Sequence, residues 1–398
     1  MNYILFDDKT WEQLLPLTFT RPVAEIRIGI LTIKEKWEKY LKSTCSYYTQ
    51  DYLSEKYPIV SSDDNIFING SLIPTAELLS EIENLDPGQV LKCDDFICAL
   101  RTTDKCVSEF NPETCSEGKT IQLISECTKI NHPYDIFNMN GDAIEQDFKI
   151  ITKGRKSQSI SKTNQVIGSN EIFVERGAKV ECAILNTTNG SIYIGKNSEI
   201  MENSAIRGPF ALCNDAGVKM GAKIYGPTTI GPHSKVGGEL NNVVIFAYSN
   251  KGHDGFLGNS VLGEWCNLGA DTNNSNLKNN YAEVKLWSYP AGRFAKTGLQ
   301  FCGLIMGDHS KCGINTMFNT GTVVGVSANI FGDGFPRNFI PSFAWGGASG
   351  FTECKLNKAE ETAKIMMGRR EIEFNEVEQK ILSSIYNMTA KYREAFNK

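Results

Sequence analysis

The clearest pattern in the chain is a repeat of six. From Ile194 onward every sixth residue is aliphatic: Ile194, Ile200, Ile206, Leu212, Val218, Ile224, Ile230 and Val236. Four places further on in each hexad stand Ser198, Ser204, Phe210, Ala216, Ala222, Thr228, Ser234 and Leu240, most of them small. A second register follows Phe256, Leu262 and Leu268, and a third follows Met306, Cys312, Phe318, Val324 and Ile330. A helical stripe repeats at 3.6 residues, so a period of six excludes a helix. It predicts a parallel β-helix of hexapeptide repeats, with three short strands to a triangular coil. The aliphatic residue would point inside and the small residue would fit the corner, each coil burying its core on the next.

Two stretches depart from the repeat. Residues 241–255 carry Gly252-His253-Asp254-Gly255, and residues 273–300 carry Tyr281, Trp287, Tyr289 and Arg293. Both are expected to leave the coil as loops, where function usually sits. Before residue 165 the pattern is different. Tyr3-Ile4-Leu5-Phe6 predicts a buried first strand that ends at Asp7-Asp8. Residues 30–41 and 75–85 predict helices, and residues 65–70 a strand and turn. Such alternation predicts an α/β domain with a mainly parallel, Rossmann-like sheet. The expected division is an α/β domain at 1–150, a Lys/Ser/Thr-rich linker at 151–165, a β-helix at 166–350 and a helical extension at 351–398. That extension would cap the prism or pack on a neighbouring chain.

Composition excludes several classes. The 398 residues carry 41 basic and 46 acidic side chains, with no basic tract, which argues against nucleic-acid binding. No apolar stretch approaches the roughly 20 residues of a membrane span. The start of the chain lacks the basic region of a signal peptide, so a cytoplasmic protein is expected. Twelve cysteines without a Cys-x-x-Cys pair read as reduced thiols rather than a disulfide frame.

There are four histidines. His253 is either an exposed loop residue or a general base, since imidazole titrates near working pH. His233 and His309 fall at hexad corners and are expected to face solvent, and His132 precedes Pro133 in a turn. Asp7 and Asp8 are either a strand-end turn or ligands for Mg²⁺. Arg21 is either an exposed ion-pair partner or a phosphate binder. The asparagines of residues 267–280 would suit corners, because Asn tolerates positive φ.

The segment Gly252-His253-Asp254-Gly255-Phe256-Leu257-Gly258, continuing through Leu262-Gly263 and Asn267-Leu268-Gly269-Ala270 to Asn276, resembles the left-handed β-helix acyltransferases. It is most similar to the acetyltransferase half of the bifunctional UDP-N-acetylglucosamine pyrophosphorylase/glucosamine-1-phosphate N-acetyltransferase family. The block from Met306-Gly307-Asp308 to Gly313-Ile314-Asn315-Thr316 fits the same pattern. Leu15-Pro16-Leu17-Thr18 and Arg21-Pro22 are similar to elements of that family's nucleotidyltransferase domain.

The resemblance implies an enzyme of UDP-N-acetylglucosamine biosynthesis. His253 would take a proton from the sugar ammonium, the Ala270 N–H would hold the oxyanion and Asn276 would orient the amine or acyl chain. Pantetheine of acetyl-CoA would lie along Gly269-Ala270, at a seam of a homotrimer. Phe256 stands where the family has a tyrosine that helps hold the sugar phosphate, so Lys251, Lys278 or Arg293 would supply that contact. In the front half the family's Gly-rich loop is missing, and Asn69-Gly70 replaces its metal-binding Asp. Arg21, Arg27 or Lys34 would bind phosphate there, and Asp7 or Asp8 would hold Mg²⁺. The expected substrates are glucosamine-1-phosphate, acetyl-CoA, a sugar-1-phosphate and a nucleoside triphosphate such as UTP. Two alternatives remain: a nucleotidyltransferase on glucose- or mannose-1-phosphate with the β-helix as an oligomerisation module, and a non-catalytic scaffold or sensor.

Overall fold

The computed structural model describes residues 1–103 and 119–397, so Cys106 and Cys115 lie outside the described residues. The chain forms two units. One comprises residues 1–14, 20–26 and 31–132; the other comprises residues 15–19, 27–30 and 133–398.

The first unit is α/β. Its elements are β1 (Asn2–Phe6), α1 (Thr10–Gln13), α2 (Ile33–Leu41), β2 (Cys45–Tyr48), β3 (Asn65–Asn69), β4 (Leu72–Ile73), α3 (Ala76–Glu83), β5 (Gln89–Cys93), β6 (Phe96–Thr102), β7 (Lys119–Gln122) and β8 (Thr128–Lys129). α2 starts where Thr32 and Glu35 form a reciprocal capping box, which satisfies two N–H groups that the helix itself cannot. Thr75 caps α3 by accepting from the Leu78 N–H. The main sheet runs β2-β1-β3-β6-β5-β7. β1 is parallel to β2 and β3, but β6 is antiparallel to both β3 and β5. The sheet is therefore mixed rather than mainly parallel. The cause is local: only Asp94-Asp95 separates β5 from β6, and so short a connection permits only a hairpin. Ile4, Phe6, Phe67, Val90, Ile97 and Leu100 fill one side.

The second unit contains the parallel coil that the hexads predict. Two helices precede it, α4 (Pro133–Asn138) and α5 (Asn140–Thr152). Fully buried Asn140 accepts from the Gly29 N–H at 2.8 Å and from the Thr229 hydroxyl at 3.1 Å. Asp147 accepts from the Ile30 N–H at 2.8 Å, and Glu145 from the N–H and hydroxyl of Ser191 at 2.6 and 2.9 Å. The Thr229 and Ser191 contacts fasten α5 to the coil, and the Gly29 and Ile30 contacts tie residues 27–30 to the same helix.

Within the coil, stacked partners lie eighteen residues apart, as Ile206 on Ile224 and Leu212 on Ile230. The interior is one continuous, mainly aliphatic column from Val174 to Ala344. Residues 241–255 do not leave it. The strand Glu239–Ile245 pairs on both sides, and Ile230 stacks on Ile245 fifteen residues later. The hexads fail there because corners are shortened. Leu240 therefore takes the interior place above Ile224, and Leu257, not Phe256, follows it. Residues 273–300 leave the coil only in part, since Asn273–Asn274 still pair in parallel with Met317–Phe318. The excursion that follows carries a hairpin of Lys285–Ser288 and Arg293–Lys296, whose Trp287 stacks on Phe339 at 4.1 Å.

Corner residues adopt positive φ, among them Asn197, Asp215, His233, Tyr248, Trp265 and His309. His233 and His309 do not simply face solvent. They are half-buried ends of a ring stack, His233–Tyr248–Trp265–His309, with spacings of 4.8, 4.3 and 6.3 Å. At the far end, helices α6 (Leu356–Gly368) and α7 (Glu376–Met388) follow a short hairpin. Buried Arg393 donates to Glu353 at 2.7 Å and to Thr389 at 2.9 Å, and Phe396 packs against the coil interior.

Ile224 lies in the column with 2% exposure. Ile224→Ala should destabilise the coil by about 2–5 kcal/mol, whereas exposed Lys223→Ala should stay within about 0.5 kcal/mol. Chemical denaturation of both variants checks this; equal losses would place the stabilising contacts outside the column.

Candidate functional sites

In the first unit the strand order reverses around β1, because β2 lies on one side and β3 on the other. Open α/β sheets bind ligands at the carboxyl ends of such strands. Asp7, Asp8 and Asn69 stand there. They do not act as a pair. Asp7 turns inward, accepting from the Val23 N–H at 2.8 Å and the Thr49 hydroxyl at 2.6 Å. Burial pushes its carboxyl up to about 7, against the pull of those two hydrogen bonds. Asp8 accepts from Lys129 at 2.8 Å, from the Thr10 N–H at 2.9 Å and from the Asn69 amide at 2.9 Å. Burial works against its charge, but the Lys129 ammonium and these hydrogen bonds outweigh it and hold the carboxyl below its ordinary value.

A divalent cation needs several carboxylate or carbonyl oxygens turned toward one point. Here both carboxylates are committed to protein donors, and one of those donors is a cation. Among the described residues no three His, Cys, Asp or Glu side chains converge as a metal site requires. The residues at β1 thus do not fit Mg²⁺ in this arrangement. Arg21 is buried at 4% exposure, where its guanidinium opposes the upward push of burial on Glu25. It is neither an exposed ion-pair partner nor turned to solvent as a phosphate binder would be.

In the second unit Phe256 begins the long strand Phe256–Leu262. Its N–H donates to the Asn273 side chain at 2.8 Å. Asn274, nearly buried, brackets Gly258 by accepting from its N–H and donating to its carbonyl. Asn276 donates to Asn259 at 2.8 Å. A Cβ at Gly258 would lie 2.5 Å from the Phe256 ring and 2.7 Å from the Asn276 amide, so only glycine admits both. The structure therefore gathers Phe256, Asn259 and Asn276 over one glycine.

His253 stands three residues earlier, exposed on this chain. The Asp271 N–H donates to the Asp254 carbonyl at 3.1 Å, which sets the Ala270–Asp271 corner against the loop that carries His253. The Ala270 carbonyl accepts from the Asn315 N–H, while its own N–H has no partner among the described residues, as an oxyanion donor requires. Gly269 has a packing reason: a Cβ there would lie 2.4 Å from the Gly313 backbone of the next coil.

Lys251 is misassigned by the sequence reading. It stacks on Val236 in the interior column with 1% exposure, and cannot reach a sugar phosphate. Its ammonium donates instead to the carbonyls of His253 and Asp254. Lys278 donates to the Glu283 carbonyl at 2.8 Å, and Arg293 is exposed on the hairpin. Sequence reasoning missed Lys129 and Asn259. Nothing local ties Lys129 to Asp8, 121 residues away, and nothing local ties Asn259 to Asn276, 17 residues on.

Comparison with known proteins bears on each unit. A family model described as sugar nucleotidyl transferase matches residues 3–156. The bifunctional sugar-1-phosphate nucleotidylyltransferase/acetyltransferase of Sulfurisphaera tokodaii is 28% identical over 152 residues, covering 33% of this chain and 37% of that protein. YaiX of Escherichia coli K12, named as an uncharacterized acetyltransferase, is 28% identical over 143 residues, covering 35% of this chain and 61% of that one. The alignments thus span less than two thirds of either relative. Among solved structures, an Arabidopsis UDP-N-acetylglucosamine acyltransferase covers 60% of this chain and 84% of its own, at 16% identity and a TM-score of 0.24. The family model and both curated relatives are transferases by name, the enzyme class expected from the sequence. Among the described residues no helix is long and apolar enough to cross a membrane.

The buried Asp7 carboxyl gives a pH prediction. Its folded value near 7 lies above its ordinary 3.8, so the folded chain holds the proton more tightly. The stability this contributes is complete below about pH 4 and is lost as pH rises through 7, on the order of 4 kcal/mol. Asp7→Asn keeps an acceptor for Val23 and should remove that loss. Hydrogen-exchange protection of the β1 amides, compared at pH 5 and pH 8, checks it; an equal pH dependence in both proteins would acquit Asp7.

Proposed function

We propose that the protein is a bifunctional enzyme of nucleotide-sugar synthesis. In this reading the coil transfers the acetyl group of acetyl-CoA to the amine of glucosamine-1-phosphate. The α/β unit joins a sugar-1-phosphate to the α-phosphate of UTP and releases pyrophosphate. The observation that carries the reading is one chain joining a stretch matched by a sugar nucleotidyl transferase family model to a β-helix whose Gly252–Asn276 segment gathers Phe256, Asn259 and Asn276 beside the His253 loop.

Acetyl transfer needs a neutral amine, a base to take its proton and a donor for the oxyanion. His253 is the base, being the histidine on that loop. The Ala270 N–H is the oxyanion donor, and Asn276, held by Asn259, orients the amine or acyl chain. Pantetheine runs along Gly269-Ala270. His253 is exposed on a single chain, so a neighbouring protomer of a homotrimer covers it in the working enzyme. Phe256 offers a ring face but no hydroxyl, so the sugar phosphate takes its charge contact elsewhere. For nucleotidyl transfer, the Asp8–Asn69–Lys129 cluster lies at the strand ends where a nucleotide would bind. Lys129 can exchange Asp8 for a phosphate oxygen. Mg²⁺, expected for such chemistry, has no site among Asp7 and Asp8 as arranged.

The exposure of His253 also favours a second reading, in which only the α/β unit is catalytic and the coil serves assembly. One pair of assays separates the two. Thiol release from acetyl-CoA with glucosamine-1-phosphate should fall about 100-fold or more in His253→Ala. Pyrophosphate release from UTP with N-acetylglucosamine-1-phosphate should not change. Pyrophosphate release without any thiol release in the wild type would establish the second reading.

A further inference from the structure

The interior column of the coil contains one charged residue in the run Ile200, Val218, Val236, Lys251, Leu268, Cys312 and Ile330. Each neighbour of Lys251 in that run is aliphatic or a thiol, and the side chain itself is buried. An ammonium in such a place is costly unless its donors are satisfied. Its partners are the carbonyls of His253 and Asp254, two and three residues on. The same loop is tied from outside by three backbone bonds. The Gly237 N–H donates to the Lys251 carbonyl, Glu239 to Gly255 and Asp271 to Asp254. Gly255, at φ +107°, has a Thr272 carbonyl 2.2 Å from where a Cβ would lie, so the turn back into the coil is tightly confined.

We propose that Lys251 is a positioning residue, a buried cation that pins the Gly252–Gly255 loop and so fixes where His253 stands. An aliphatic residue would fill this interior place at less cost, as Val236 and Leu268 do beside it. What the lysine adds is reach. From its interior place its head reaches the His253 carbonyl, for which no backbone donor is seen among the described residues, and the Asp254 carbonyl, which it shares with the Asp271 N–H. The acidic groups facing it are Asp254 on the loop and Asp271 on the adjoining corner, with the Cys312 thiol from two coils on. Burial draws its ammonium down to about 8, with the two aspartates opposing that fall, so the clamp is charged at neutral pH and loses its charge in mild base. The consequence for acetyl transfer rests on the reading of His253 as base; the clamp itself does not.

The test is Lys251→Met, which keeps the stem and removes the charge. Removing a buried cation from an aliphatic column should leave the melting temperature unchanged or raise it. At the same time, hydrogen-exchange protection of the Glu239 and Asp271 amides, which donate into the loop, should fall about tenfold or more at pH 7. In the wild type that protection should fall as pH passes 8, and in Lys251→Met it should not. The kcat for thiol release from acetyl-CoA with glucosamine-1-phosphate should drop about tenfold to a hundredfold, with KM nearly unchanged. Unchanged protection at both amides in Lys251→Met overturns the proposal. So does a loss of melting temperature in step with activity, which would make the lysine merely structural. Loss of protection in a protein whose wild type transfers no acetyl group would uphold the clamp and remove the acetyltransferase reading instead.

Discussion

The second unit depends on one contact, the stacking of an aliphatic side chain on its counterpart in the next coil. A coil of three very short strands has almost no interior of its own, and its core is completed by the coils above and below. Ile206 on Ile224, Val218 on Val236 and Leu212 on Ile230 are instances of this contact. Once it is imposed, the rest follows. Each corner must turn within one or two residues, so positive φ recurs at residues as different as Asn197, His233 and Trp265. Residues stacked at one corner come into register, which is why His233, Tyr248, Trp265 and His309 become a column of rings. Each end needs a cover, and α6, α7 and the buried Arg393 belong to the one that follows the last coil.

This constraint also explains what the sequence could reveal. A strict period survives only while every coil has the same length. Ile194 to Val236 kept the period, and all eight residues lie inside. Shortened corners between Val236 and Leu257 broke the count without breaking the coil, so Leu240 read as a corner residue and Phe256 as core, whereas Leu240 lies inside and Phe256 flanks the interior Leu257 on its strand. The interior lysine escaped for the same reason. With the register lost, Lys251 had only its charge to place it, and charge points outward by default. By contrast, the hairpin at Lys285–Ser288 was legible as a departure, because its polar and aromatic residues fit no interior pattern.

In the first unit the local elements were legible and their assembly was not. Thr32 with Glu35 and Thr75 before Ala76 are signals within one turn of the helix they start. The pairing of Asp8 with Lys129 joins residues 121 apart and leaves no periodic trace. Asp7 and Asp8 look equivalent on paper. The pleat separates them: successive residues at a strand end point to opposite sides, so one is buried among backbone donors and the other meets a lysine. Their titrations are driven apart in consequence, upward by burial for Asp7 and downward by Lys129 for Asp8.

Both units thus place charge where their packing alone would not. Asp8 and Lys129 hold one another at strand ends where a ligand would compete for either partner, and such a pair can open without creating a buried orphan, since each has 13–16% of its side chain exposed. Lys251 has no such exit, because its head is sealed beneath the loop it holds. A cation that can leave is suited to meeting an anionic ligand, whereas one that cannot leave is suited to keeping a backbone still. The arrangement of these lysines, more than their number, separates the group that would touch substrate from the group that would act through its neighbour.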